Sequence, residues 1–248
     1  CSLNPNEDKL SLTCEILVSK NGKINPRDSK VYESVINSNA RTTYKEIQDI
    51  FNINKVVWDK LQFSDKVDEN LVKLVKDSYT LSRLLNNLRK KEWELTFENK
   101  EIKTELDEKR NPIKFKKYEM YESNELIKAL MVTANEAVSL IYGSWPFLHR
   151  THGKPKDEKL ELLSKTLSYL EIDTWWLDLN AWNIDKLLEK VKWHEKEKAL
   201  SALIMRTLQL AKYTHTLEWH HWLALKNYSH FTSPIRRYPD LQIHRIIK

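Results

Sequence analysis

Residues Leu225–Arg245 read LKNYSHFTSPIRRYPDLQIHR. Ser233-Pro234 has the form of a helix start, with serine as N-cap and proline at the first helical position. Arg236 and Arg237 then fall in the first turn, at the end of a helix that favours anions. A structural explanation covers one of them. Arg237 can pair with Asp240 three residues on, a common contact of small energy. Arg236 then has no carboxylate of its own. The functional alternative is an anion site, in which a phosphate is held by backbone N–H groups, by the hydroxyl of Thr232 or Ser233, and by Arg236.

The rest of the chain limits the chemistry. Its 248 residues carry 41 basic and 35 acidic side chains, a formal charge of +6. That excess permits a polyanionic partner without requiring one. Hydrophobic residues make up 41%, enough for a sizeable core. No apolar run approaches the roughly 18 residues that span a bilayer, so no membrane partner is expected. Cys1 and Cys14 lack metal-ligand spacing and read as reduced thiols of a cytoplasmic protein. The pairs His149/His152 and His220/His221 lack the H-E-x-x-H or Cys/His framework of a zinc site. No nucleophile elbow, phosphate-binding glycine loop or tight carboxylate cluster is present, so no metal ligand is assigned within these residues.

Periodicity gives an α+β class. Residues 10–18 read as a strand and Asn21-Gly22 as a hairpin turn. Helices are expected over 43–51, 56–62, 69–92, 124–141 and 155–170, and within 184–213. The face of 69–92 is expected to run through Leu71, Leu74, Val75, Ser78, Leu81, Leu85 and Leu88. That of 124–141 is expected to run through Ile127, Leu130, Met131, Ala134, Val138 and Ile141. Residues 94–120 read as two or three strands around Asn111-Pro112. The last helix is expected to begin at Ser233. Cys1 opens inside an extended pattern and Lys248 interrupts a helical one, so the chain reads as one domain cut at both ends.

The stretch YSHFTSPIRRYPDLQIHR closely resembles the signature of the RNase II/RNase R family of exoribonucleases, the RNB catalytic domain. CSLNPNEDKLSLTCEILVSKNGKI, YESVINSNARTTY, LTFENKE, LIKALMVTAN and LHRTHGKPKDEKL are similar to further family segments, in order, over nearly all 248 residues. The resemblance implies the middle and C-terminal part of an RNB domain over residues 1–248, a mixed sheet wrapped by helices around an RNA channel. It implies a monomeric enzyme that takes the 3′ end of single-stranded RNA and hydrolyses it processively, 3′→5′, to nucleoside 5′-monophosphates. Arg236 matches the arginine at the scissile phosphate. Phe97 matches the aromatic that stacks on the terminal base. Tyr44 matches a tyrosine near the terminal nucleotides, where the 2′-OH marks RNA. Thr232, Ser233 and Arg237 support the helix start. Mg²⁺ is the implied cofactor, its aspartate ligands lying upstream of the CSLNP segment, so these residues alone should not hydrolyse RNA.

Two departures from the family pattern stand out. Lys128 replaces the glutamate that works beside the tyrosine in sugar recognition. This leaves open a different class of function, a catalytically degenerate RNA-binding scaffold. Trp93, Trp219 and Trp222 stand on family glycines, and the chain has 9 tryptophans against 3 glycines. Glycine codons read as tryptophan would produce that imbalance. They would also explain Trp175-Trp176 in a polar loop, where a glycine pair is ordinary turn chemistry.

Overall fold

The computed structural model describes residues 3–52, 69–91, 102–117, 119–144, 146–172 and 181–248. Expectations for residues 56–62, Trp93, Phe97 and Trp175-Trp176 lie outside the described residues. The α+β class holds. The described strands, expected in one mixed sheet, pair instead as three separate antiparallel ribbons. Parallel pairing among the described residues is confined to isolated bridges such as Pro5 with Ser38.

The first ribbon joins β1 (Asp8–Val18) and β2 (Ile24–Asn37). It turns where Asn21-Gly22 predicts, with the Gly22 N–H donating to the Ser19 carbonyl at 2.8 Å. Gly22 has φ +87°, and a Cβ there would approach Leu88 to 3.3 Å. Glycine therefore serves both the turn and its packing against the next long helix. Helix α1 (Tyr44–Asn52) opens with a capping box. The Thr43 hydroxyl accepts from the Glu46 N–H at 3.2 Å, and the Glu46 carboxylate accepts from the Thr43 N–H.

Helix α2 (Glu69–Lys91) matches its expected span, but its buried residues are Val72, Val75, Ser82, Leu85 and Arg89. Leu74, expected inside, is 62% exposed. The buried stripe lies beside the one that hydropathy selects, because Ser82 and Arg89 are inside. Arg89 donates to the Thr133 hydroxyl at 2.8 Å. After the ribbon of β3 (Ile102–Leu106) and β4 (Pro112–Lys117), the chain enters α3 (Glu122–Tyr142). The turn of that ribbon covers residues 107–111 and Pro112 opens β4, a tolerated place for proline.

Helix α3 is the spine of the fold. It packs against α1, α2, β1 and β2. Its buried set includes Ser123, Thr133, Asn135 and Ser139 beside Leu126, Ala129, Val132 and Val138. Ile127, expected on the core face, is exposed. A helix enclosed on several sides places polar groups inwards where neighbouring segments need hydrogen bonds, and an apolar-stripe reading passes over them.

Helices α4 (Asp157–Tyr169), α5 (Ala181–Val191) and α6 (Glu197–Thr207) enclose a second core of Leu163, Leu167, Leu187, Val191 and Ile204. The short ribbon of β5 (His149–Thr151) and β6 (Lys212–Thr214) precedes a 3₁₀ turn at His221–Leu223. The last helix, α7 (Tyr238–Ile247), begins five residues later than Ser233 suggests. Ser233-Pro234 forms a turn instead, and the proline in the first turn of the helix is Pro239. Among the described residues the left-handed non-glycine positions are Asn6, Arg110, Glu171 and Ala224. The backbone at Trp219 and Trp222 therefore suits tryptophan as readily as glycine.

Asn135 ties α3 to the signature segment. Its side-chain oxygen accepts from the Phe231 N–H at 2.9 Å and the Thr232 N–H at 3.2 Å, and its amide donates to the Tyr228 hydroxyl at 3.0 Å. Asn135→Ala leaves two backbone donors without their acceptor. It should cost about 2–3 kcal/mol in urea unfolding. A loss below about 0.5 kcal/mol would show that those donors find other partners.

Candidate functional site

Asp240 lies in the first turn of α7 and is fully buried. One carboxylate oxygen accepts from the Ser233 N–H at 2.8 Å and from the Arg237 guanidinium at 2.7 Å. The Arg236 and Arg237 N–H groups both reach back to the Ser233 carbonyl, at 3.2 and 3.0 Å. Residues 233–237 thus form a closed turn around a buried acid. Arg237 is folded inwards, and its guanidinium also lies 3.5 Å from the Thr232 hydroxyl. Arg236, in the same turn, is exposed. Among the described residues it makes no ion pair.

The pairing of Arg237 with Asp240 follows from their spacing, but its burial does not. With the acid fully enclosed, removal of either partner leaves an uncompensated charge inside. From the other side, Phe231 stacks on His244 with ring centroids 4.6 Å apart, and its carbonyl lies 2.9 Å from His244 Nε2. Phe231, Val138, Phe147 and Ile243 form the core beneath.

A half-buried belt of aromatic and imidazole rings borders this turn. The Tyr213 hydroxyl lies 2.8 Å from His230 Nδ1. The Arg150 guanidinium sits over the Tyr213 ring, 4.5 Å from its centroid. Beyond them, His220 packs edge-on to Tyr228 at 5.2 Å and lies 5.5 Å from His152. Burial, reinforced by Arg237 and Arg150, pushes His230 down to about 4. Burial, reinforced by the neighbouring His152, pushes His220 down to about 3. Both rings are therefore neutral at neutral pH and serve as hydrogen-bonding groups rather than cations.

Tyr44 and Lys128 stand at the other end of α3, one against it and one on it. Tyr44 opens α1 and is partly exposed, and its carbonyl accepts from the Ser123 hydroxyl at 2.7 Å. Lys128 stands outward, 3.8 Å from the Glu125 carboxylate. The twelve residue steps from Ser123 to Asn135 span about 18 Å of helix. Tyr44 and the arginine turn therefore stand at separate stations on one rigid element. Phe97 is outside the described residues. The Ser233 side chain caps no helix; its backbone N–H does the holding. Asn135, Asp240 and His230 carry the local geometry and received no site role from the sequence. For Asn135 and Asp240 the available signal is a polar residue inside an otherwise apolar helical stripe; His230 lies in irregular backbone and has no such signal.

Among the described residues no group of three or more histidine, cysteine or carboxylate side chains is arranged to hold a metal ion. The described part therefore does not fit the divalent cation that the resemblance implies. No helix among the described residues is long and apolar enough to cross a membrane.

Residues 1–248 match the RNB domain family. Ribonuclease R of Mycoplasmopsis pulmonis is 37% identical over 255 residues, covering 100% of this chain and 33% of that protein. Ribonuclease R of Aquifex aeolicus is 35% identical, covering 100% and 34%. The chain thus spans about a third of the length of the curated relatives it matches. Mycoplasma genitalium RNase R, solved in complex with ribose methylated single-stranded RNA, aligns with TM-score 0.87 at 30% identity over 100% of this chain and 38% of that one. Yeast Ssd1, a pseudonuclease, aligns with TM-score 0.63 at 18% identity over 100% and 30%, a likeness of fold alone.

The depressed histidines set a pH dependence. Their folded values lie below the ordinary 6.5, so the unfolded chain takes up their protons first as pH falls. Their contribution to stability is complete above pH 6.5 and is lost as pH drops towards about 4 for His230 and about 3 for His220. The thermal midpoint should fall through that interval, and His220→Gln and His230→Gln should each flatten the fall. A slope unchanged by both substitutions would contradict the assignment.

Proposed function

This chain belongs to the RNB domain family, and on that footing we propose that it forms part of the catalytic domain of an exoribonuclease that hydrolyses RNA processively from the 3′ end, releasing nucleoside 5′-monophosphates. One observation carries the reading. The signature turn spends Arg237 on a buried acid and presents Arg236 outward. A guanidinium fixed at a rigid turn suits a phosphodiester, whose oxygens can accept two parallel N–H bonds. Its charge can act on negative charge that develops during hydrolysis. Tyr44 would lie along the strand near the terminal sugar, and Phe97 would stack on the last base. The partner is the 3′ end of single-stranded RNA, bound by a monomer in the cytoplasm. A divalent cation, Mg²⁺ in this reading, would be held by carboxylates outside these residues.

Arg236→Ala in the complete protein tests this. RNA binding should change less than about threefold, since one phosphate contact among many adds little to affinity. Turnover should fall by about 10²–10³ or more, the cost of removing a donor aimed at developing charge. Equal losses in binding and rate would make Arg236 an anchor for the strand only.

A second reading, an RNA-binding scaffold without catalysis, is favoured by Lys128. A carboxylate at that position could accept a hydrogen bond from a ribose 2′-OH, and an ammonium cannot. Lys128 should attract either nucleic acid as a point charge. Lys128→Glu should therefore raise the preference for RNA over matched DNA, measured by binding at one salt concentration. An unchanged preference would place sugar recognition at Tyr44 or elsewhere.

A further inference from the structure

Arg150 has the properties of a ligand-binding residue. In β5, His149 and Thr151 are buried and Arg150, between them, turns to the opposite face. Directly across the ribbon is Tyr213, its register partner. The Arg150 N–H bonds the Tyr228 carbonyl at 2.8 Å, so β5 is held on both sides and Arg150 starts from a fixed backbone. Its guanidinium rests over the Tyr213 ring, and the Tyr213 hydroxyl is tied to His230. The ring face attracts a cation but accepts none of its five in-plane N–H bonds. Among the described residues Arg150 meets neither a carboxylate nor a hydrogen-bond acceptor for its side chain.

The charge around this group does not balance. Arg150, Arg236 and Arg237 all press on His230, while Asp240 opposes them. Asp240 is already engaged by Arg237. Two guanidinium charges, that of half-buried Arg150 and that of exposed Arg236, are left without a carboxylate among the described residues. A half-buried guanidinium with no carboxylate or hydrogen-bond acceptor is an unfavourable charge that an anion would compensate.

We propose that Arg150, held over the Tyr213 ring, binds a second backbone phosphate of the RNA strand that meets Arg236. The inference rests on the RNA-degrading reading above and adds a contact that acts on affinity rather than on turnover. Tyr213 holds the guanidinium over its ring face, and His230 fixes the Tyr213 hydroxyl. Being neutral, His230 adds no further positive charge.

The test measures dissociation constants of the complete protein for a labelled single-stranded RNA oligonucleotide over a salt series. Arg150→Ala should weaken binding about threefold at low salt and reduce the magnitude of the salt slope by about 0.7, the share of one phosphate on a single strand. The rate at saturating RNA should stay within about twofold. Arg150→Lys should restore most of the slope, because an ammonium keeps the charge. A slope unchanged by Arg150→Ala, with RNA binding intact, overturns this proposal and leaves the parent reading standing. A loss of slope that lysine does not restore, accompanied by a lower thermal midpoint, makes Arg150 a structural group and also overturns it. Failure of the unaltered protein to bind RNA overturns both.

Discussion

A buried carboxylate governs the signature turn. Asp240 is enclosed at the start of α7 and must be compensated where it sits. It takes the Ser233 N–H and the Arg237 guanidinium. Those two bonds draw the chain into a turn, and the turn decides which of two adjacent arginines faces inwards. The puzzle of two cations near a helix start resolves into a division of labour. Arg237 neutralises the acid that shapes the turn, and Arg236 is presented to whatever binds. Because the helix begins at Tyr238, neither arginine lies inside its first turn. The electrostatic conflict that the sequence suggests is avoided by five residues of displacement.

The turn is useful only if its position relative to the rest of the site is fixed, and α3 supplies that. Its Asn135 holds the backbone of Phe231 and Thr232. Its Thr133 meets Arg89 of α2, and its Ser123 meets the carbonyl of Tyr44. Each bond is a buried or half-buried polar contact between α3 and a distant segment. Each has a geometry that apolar packing alone would not impose. A single rigid helix therefore sets the separation between the start of α1 and the arginine turn.

Much of this was legible from the residues. The Asn21-Gly22 hairpin, the spans of α2 and α3, and the pairing of Arg237 with Asp240 follow from local chemistry and spacing. The faces of α2 and α3 did not follow. Arg89, Thr133 and Asn135 are buried for hydrogen bonds with partners 44 to 97 residues away, whereas Ser82 bonds the Tyr79 carbonyl of its own helix. No local periodicity reports such partners. The start of α7 departs from the expected one for a related reason. Ser233-Pro234 and Tyr238-Pro239 both fit a helix start, and the choice between them belongs to Asp240, whose burial is a tertiary fact. Roles for Arg236 and Tyr44 came from resemblance, and the structure adds their surroundings.

The most direct measurement is a crystal structure of the complete protein with single-stranded RNA bound. The account predicts the Arg236 guanidinium at hydrogen-bond distance, about 2.7–3.0 Å, from a backbone phosphate oxygen, with Arg237 still on Asp240. Arg236 left in solvent, or Arg237 drawn off Asp240 onto the phosphate, would contradict it.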